Sequence, residues 1–405
     1  MKYSVDKHSE TSAWGSISRQ ELFPRFILLL LVFVPYLPEY TYRQVAAALI
    51  ILFILTTIIY FPENSVITKG IETYYFSAFA GIIALTIPSW YVAVNIGDAI
   101  KFSGMSLLLT VYAFFLCRYS KNRINSVIET ILLIALIMAV FNILQHITGK
   151  YWISKVDYSE RDAFFGLPLP HPRHSFGVTS FAEYAALLIY PVPYVMRRFK
   201  WITALFIVVV LGGGIYFTGL RSAYFAFYIV VLTSFLMIKY KQPSFKYFIL
   251  LAVAILVFGL MLTSTAILTE GTTIMRIKGY DIAYQEIINN PVLGHGDGTW
   301  EATYGHSLYI DELSNSVINS VSIHNPVLLL AYNAGVIPAV ILLRFLYLLT
   351  RNGLKSGQLG KDTIVGFMSA LFTLFFTPLL LSFTLFFLLG ITMSAQQQRN
   401  YVTRP

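Results

Sequence analysis

Apolar runs of roughly twenty residues recur along nearly the whole chain, and they constrain the fold more than any single motif does. A helix needs ~20 residues to cross ~30 Å of hydrocarbon. Backbone facing lipid must satisfy its own hydrogen bonds, so each run is expected to be helical. Runs near 26–38, 44–61, 71–94, 102–117, 124–147, 176–196, 201–218, 222–238, 247–268, 325–349, 363–379 and 380–395 give about twelve spans. The first is short, and Pro378 interrupts the stretch shared by the last two, so either pair could be a re-entrant or broken helix. The expected fold is all-α: a polytopic membrane helical bundle of about 12 transmembrane helices with a small, partly helical outer domain. With 57% hydrophobic and 12% charged residues, an ordinary soluble enzyme is excluded.

Orientation follows from the basic residues, because cytoplasmic loops retain Lys and Arg. With the N-terminus inside, twenty of the 29 Lys and Arg residues fall on the cytoplasmic side, and both termini lie there. No signal-peptide cleavage pattern precedes the first span, so the N-terminal 25 residues are expected to remain as a cytoplasmic tail. The net charge of +9 is then mostly a topology signal plus attraction to anionic lipid headgroups, and it requires no nucleic-acid partner. The expected layout is an N-terminal transmembrane region, 1–268, with an outward loop at 148–175. An outer segment, 269–324, follows, and then C-terminal helices and tail, 325–405. A single cysteine, Cys117, excludes an internal disulfide and a Cys/His zinc cluster. There is no P-loop lysine motif and no dinucleotide fingerprint, and neither a metal nor a cofactor is expected. The Gly212-Gly213-Gly214 run lies inside an apolar span, where small residues permit close helix packing.

Two outward segments break the helical monotony. The first carries Tyr151, Trp152, Tyr158, Phe164 and Phe165, three prolines, and the cluster His171, Arg173, His174. It reads as an interfacial aromatic loop with a rigid proline turn, or as a substrate contact through Arg173, His171 or His174. In the second, apolar residues at Ile277, Tyr280, Tyr284, Ile287 and Ile288 follow the helical period from Arg276 to Asn290. An amphipathic helix is expected there, ending at Pro291 and running into a turn, Gly294-His295-Gly296-Asp297-Gly298. Arg221 stands at the outer junction of two spans with almost no loop between them. Arginine there opposes the positive-inside bias; it either snorkels to the interface or serves an anion, for which its fork suits two phosphate oxygens. His324-Asn325 opens an apolar helix directly after the outer segment, which makes His324 either a helix cap or a base at the membrane surface.

The strings Thr218-Gly219-Leu220-Arg221-Ser222-Ala223, Asn290-Pro291-Val292-Leu293-Gly294-His295-Gly296-Asp297-Gly298 and His324-Asn325, with Asn333-Ala334-Gly335-Val336-Ile337 beyond, resemble the O-antigen ligase and O-antigen polymerase superfamily of bacterial membrane glycosyltransferases. The resemblance covers about 200–345 in detail. It departs at Leu220, where many relatives carry serine, and at His295 between the glycines. It implies a glycan donor carried on polyprenyl (undecaprenyl) diphosphate and transfer on the periplasmic face of the inner membrane. Arg221 and Arg276 would hold the diphosphate, and His324 would act as catalytic base in an inverting, metal-independent displacement. A lipid A-core acceptor makes the enzyme a ligase, the preferred reading; a second polyprenyl-linked repeat makes it a polymerase. A lipid-linked sugar transporter is the alternative from another class, but no half-to-half repeat supports it. The sequence leaves the oligomeric state open.

Overall fold

The computed structural model describes residues 26–27, 39–60, 71–152, 154–158, 170–176, 180–240, 271–304, 309–311, 316–318, 323, 325–374 and 382–397. The expected span 247–268, most of 26–38, Pro378 and His324 lie outside them. Fourteen helices occur among the described residues: α1 (Glu39–Tyr60), α2 (Ile71–Thr86), α3 (Ile96–Ser120), α4 (Ile124–Thr148), α5 (Phe181–Ile189), α6 (Val192–Arg198), α7 (Trp201–Tyr216), α8 (Arg221–Tyr240), α9 (Gly271–Asn289), α10 (Thr299–Thr303), α11 (Pro326–Ala334), α12 (Val336–Lys355), α13 (Gln358–Leu374) and α14 (Phe383–Gln397). Two small antiparallel hairpins accompany them, β1 (Ser154–Asp157) with β2 (Arg173–Phe176) and β3 (Tyr309–Asp311) with β4 (Ser316–Ile318). Four helices, Ile96–Ser120, Ile124–Thr148, Arg221–Ile238 and Val336–Lys355, are long and apolar enough to cross a membrane. The chain is therefore a mostly helical membrane protein.

Apolar runs alone misplace several helix ends, each for a local reason. The third run does not continue to residue 94: α2 stops at Thr86, and Pro88 opens a 3-10 turn over Ile87–Tyr91. Asn95 then caps α3, its side chain accepting from the Gly97 and Asp98 amides, so α3 begins six residues before its apolar run. The run 176–196 becomes two helices because Pro191 cannot donate to a continuing ladder.

Helix contacts in the bundle rest on small residues. A Cβ on Gly214 would stand 2.8 Å from that of Ala139, and one on Gly213 would stand 3.0 Å from Ile143 Cδ1, so the glycine run lets α7 lie close against α4. It serves packing, where burial gains little over lipid and van der Waals contact decides. The bundle core runs through α3, α4, α5, α13 and α14, with Tyr112, Tyr184, Phe367 and Phe387 among its buried rings.

The largest difference from the sequence expectation concerns 325–349, which is not one rod. Twenty residues of straight helix would separate Pro326 and Leu346 by ~30 Å. Yet both line one apolar cavity together with Leu330 and Leu342. The chain turns back at Gly335, whose φ of 89° lies in the region open to glycine. As a result α11 packs against α12 instead of extending it.

Candidate functional site

The end of α4, the start of α5 and the α7–α8 junction meet at β2. Arg221 is the first residue of α8, half-buried at that junction. The turn before it is internally braced, with Thr218 Oγ1 donating to the Ile215 carbonyl at 2.6 Å and accepting from the Leu220 amide at 3.2 Å. Gly219 supplies the left-handed corner at φ 61°. A cation at a helix N-terminus faces the positive end of the helix dipole, so Arg221 and the first amides of α8 form a cationic position that an anion would relieve.

The β1–β2 hairpin packs on this turn. The His174 amide donates to the Phe217 carbonyl at 2.7 Å, which ties β2 to the end of α7. His146, at the end of α4, shares a 2.9 Å hydrogen bond between its Nδ1 and His174 Nε2, and its ring lies 4.1 Å from that of Phe217. Tyr151 stacks on His174 at 4.9 Å. Burial, and secondarily the nearby His146, pushes the His174 imidazole down to about 4. Arg173 points inward: it is 3% exposed, forms an ion pair with Asp157 directly across the β1–β2 ladder, and lies 5.2 Å above the Phe181 ring. His171 stays near Tyr158, ring centroids 6.5 Å apart, at the outer tip.

Arg276 is carried by α9, which begins five residues before the expected helix and ends at Asn289 as anticipated. The stripe that read as its apolar face divides. Ile277, Tyr284 and Ile288 are exposed, whereas Ala283, with Ile282 and Ile287 beside it, packs on Trp300, Ile323, Leu329 and Tyr332. Arg276 is half-buried one turn from Tyr280, whose phenol burial raises while the arginine's charge opposes the rise. The structure thus brings Arg276 to the helix that packs on α11, and Arg221 to a helix that packs on α5, α6, α7 and α13.

His324 lies outside the described residues, but its neighbours are informative. Ile323 is buried with Ala283 and Trp300. Asn325 is the cap of α11, its Oδ1 accepting from the Val327 amide at 2.9 Å and the Leu328 amide at 3.1 Å. Capping, the bland reading of the His-Asn pair, belongs to Asn325.

Two strings that were separate in the sequence prove to be each other's partners. The His295 and Gly296 amides donate to the Tyr332 and Asn333 carbonyls at 2.8 and 2.9 Å, and the Val336 amide donates to Pro291 O at 2.8 Å. Asn333 Nδ2 donates to the buried Asp297 Oδ1 at 2.7 Å, and His295 stacks on Tyr332 at 4.7 Å. Close approach is possible only without side chains, since a Cβ on Gly294 would stand 2.5 Å from Tyr332 O, and one on Gly335 would overlap Val292 O. Thr299 fastens the same loop to the start of α3 by accepting from the Val94 amide at 3.2 Å. In the sequence Gly294–Gly298 reads as a plain turn, and His146 and Asp157 signal only as a histidine at a span end and an isolated carboxylate in a loop.

No curated protein matches the chain. Residues 206–343, which include Arg221, Arg276 and His324, are similar to the family described as O-antigen ligase, in keeping with the resemblance carried by the sequence strings.

Proposed function

We propose that the protein is an O-antigen ligase-like glycosyltransferase that moves a glycan from polyprenyl (undecaprenyl) diphosphate to a lipid A-core acceptor. The reaction takes place on the periplasmic face of the bacterial inner membrane. Arg221 at the α8 N-terminus carries this reading, because a fixed cation on a positive helix end suits a diphosphate better than it suits lipid or water. Arg276 adds a second cation from the α9 side. The bond between the sugar anomeric carbon and the phosphate oxygen breaks, and the electron pair leaves with the diphosphate, whose charge the arginines stabilise. The acceptor hydroxyl attacks the opposite face of the same carbon, and His324 takes its proton. One displacement inverts the anomeric configuration and needs no metal.

The apolar cavity at the start of α11, lined by Pro326, Phe79, Ile83, Phe102, Leu342 and Phe386 among others, offers an apolar surface for part of a prenyl chain. About twelve spans, cytoplasmic termini and an outer segment at 269–324 complete this reading. Membrane lipids are the surrounding partner. The deciding experiment incubates purified protein with polyprenyl diphosphate-linked glycan and each acceptor separately. A single transfer to lipid A-core is the expected product. A ladder of repeat lengths on the lipid-linked acceptor would identify a polymerase, and absence of any new glycosidic bond would remove the transferase reading.

A further inference from the structure

We propose that the β1–β2 hairpin is a clamp on the Thr218-Gly219-Leu220 turn and that Arg173 is a positioning residue for Arg221, not a contact to the donor. The inference rests on the reading of Arg221 as the diphosphate ligand. Three observations carry it. Gly219 has its Cα against the Arg173 stem: a Cβ there would overlap Arg173 Cδ and come within 2.7 Å of Cγ. The neighbouring strand residue, His174, holds the residue before the turn through its amide bond to Phe217 O, while the His146 ring lies tilted against the Phe217 ring. Arg173 itself is immobilised by Asp157 across the ladder and by the Phe181 ring below, so its guanidinium is already occupied. The only backbone joining this packed face to Arg221 is the two-residue step Gly219-Leu220, too short to absorb a displacement. Small misplacement of a catalytic cation lowers rate steeply, so a residue that fixes the turn acts on turnover without touching substrate.

The geometry also explains the glycine. At φ 61° a side chain would be strained on its own backbone, and on this corner it would also push the Arg173 stem out of its place. Gly219 is thus the point where the hairpin enters the catalytic turn.

Full-length protein in nanodiscs, with polyprenyl diphosphate-linked glycan as donor, provides the test. Arg173→Ala, Gly219→Ala and Asp157→Asn should each lower kcat/KM by roughly 10-fold or more, and Arg173→Lys, which keeps the stem and the charge pair, should recover much of the loss. Arg173→Ala placed on Arg221→Ala should add less than ~3-fold, because the clamp works through a side chain that is then missing. Hydrogen exchange should quicken at the Phe217–Arg221 amides in Arg173→Ala, with amides of α3 and α13 unchanged. Additive losses in the double variant would make Arg173 a direct contact and overturn the positioning role. Unchanged exchange at 217–221 would overturn the clamp itself. Normal turnover in Arg221→Ala alone would instead remove the diphosphate reading, a result separate from both.

Discussion

Three side chains carry the proposed chemistry, and each makes a different demand. Arg221 and Arg276 must be cationic forks, so Arg221→Ala and Arg276→Ala should each lower turnover by ~100-fold or more, the range for loss of one electrostatic stabiliser. Lysine should restore only part, because an ammonium cannot bind two oxygens in a plane. Steady-state transfer at matched expression measures this, and near-normal turnover in either alanine variant would return that arginine to interfacial snorkelling. His324 must accept a proton. With the cap assigned to Asn325, His324→Asn separates base from bystander cleanly: turnover should fall by ~10²–10⁴-fold while donor binding persists. Wild-type rates in that variant would end the base assignment. Burial and pairing of Arg173 with Asp157 place it in another category from Arg221, a distinction that residue type could not reveal. The sequence exhibits both as arginines on outward segments, and only the antiparallel register that sets Asp157 opposite Arg173 tells them apart.

At the scale of elements, what was legible and what was not follows from the range of the interactions. Long apolar runs report local helix formation, and α4, α7 and α8 begin within a residue of their runs. The fold-back at Gly335 leaves no such trace: an Asn-Ala-Gly step inside apolar sequence looks continuous until loop 291–298 is seen seated against it. That docking joins residues about 40 positions apart, beyond any periodicity. Gly335→Ala should therefore lower thermal stability more than Gly357→Ala, since Gly335 combines φ 89° with overlap on Val292 O while Gly357 has open space around it. The strain alone is worth ~1–3 kcal/mol. Equal melting temperatures for the two variants would mean that loop 291–298 does not hold the elbow. The β1–β2 hairpin has its own sensitivity, to acid. His174 favours its neutral form when folded, because burial lowers its pKa from 6.5 to about 4. A depressed folded pKa gives stability that is complete above 6.5 and is lost progressively as pH falls towards 4. Proteolysis within 148–176 should accordingly increase over that window, and His174→Phe should flatten the dependence while keeping the stack on Tyr151.

For the whole molecule the question is which side of the membrane the gathered helix ends occupy. The split of twenty against nine basic residues predicts that the α7–α8 junction and the 269–324 segment lie outside. The fold makes this one question rather than several, because Thr299 is fastened to Val94 at the start of α3, and β2 is fastened to Phe217 beside Arg221. With α3 and α4 both spanning, the β1–β2 hairpin, the Arg221 turn and loop 291–299 are expected on one side together. Single cysteines at exposed positions test it in a Cys117→Ser background, where the buried native thiol no longer competes. Cysteine at Trp152, Tyr284 or Val292, exposed on the loop, on α9 and on loop 291–298, should react with a membrane-impermeant maleimide in cells whose outer membrane alone is permeabilised. Cysteine at Lys121, in the turn between α3 and α4 at the other end, should react only once the inner membrane is opened. The reverse pattern would put the cationic end in the cytoplasm and overturn transfer on the periplasmic face. A mixed pattern, with Trp152 on one side and Val292 on the other, would overturn the reading of α3 and α4 as consecutive spans, since Trp152 follows the end of α4 and the loop of Val292 is fastened to the start of α3.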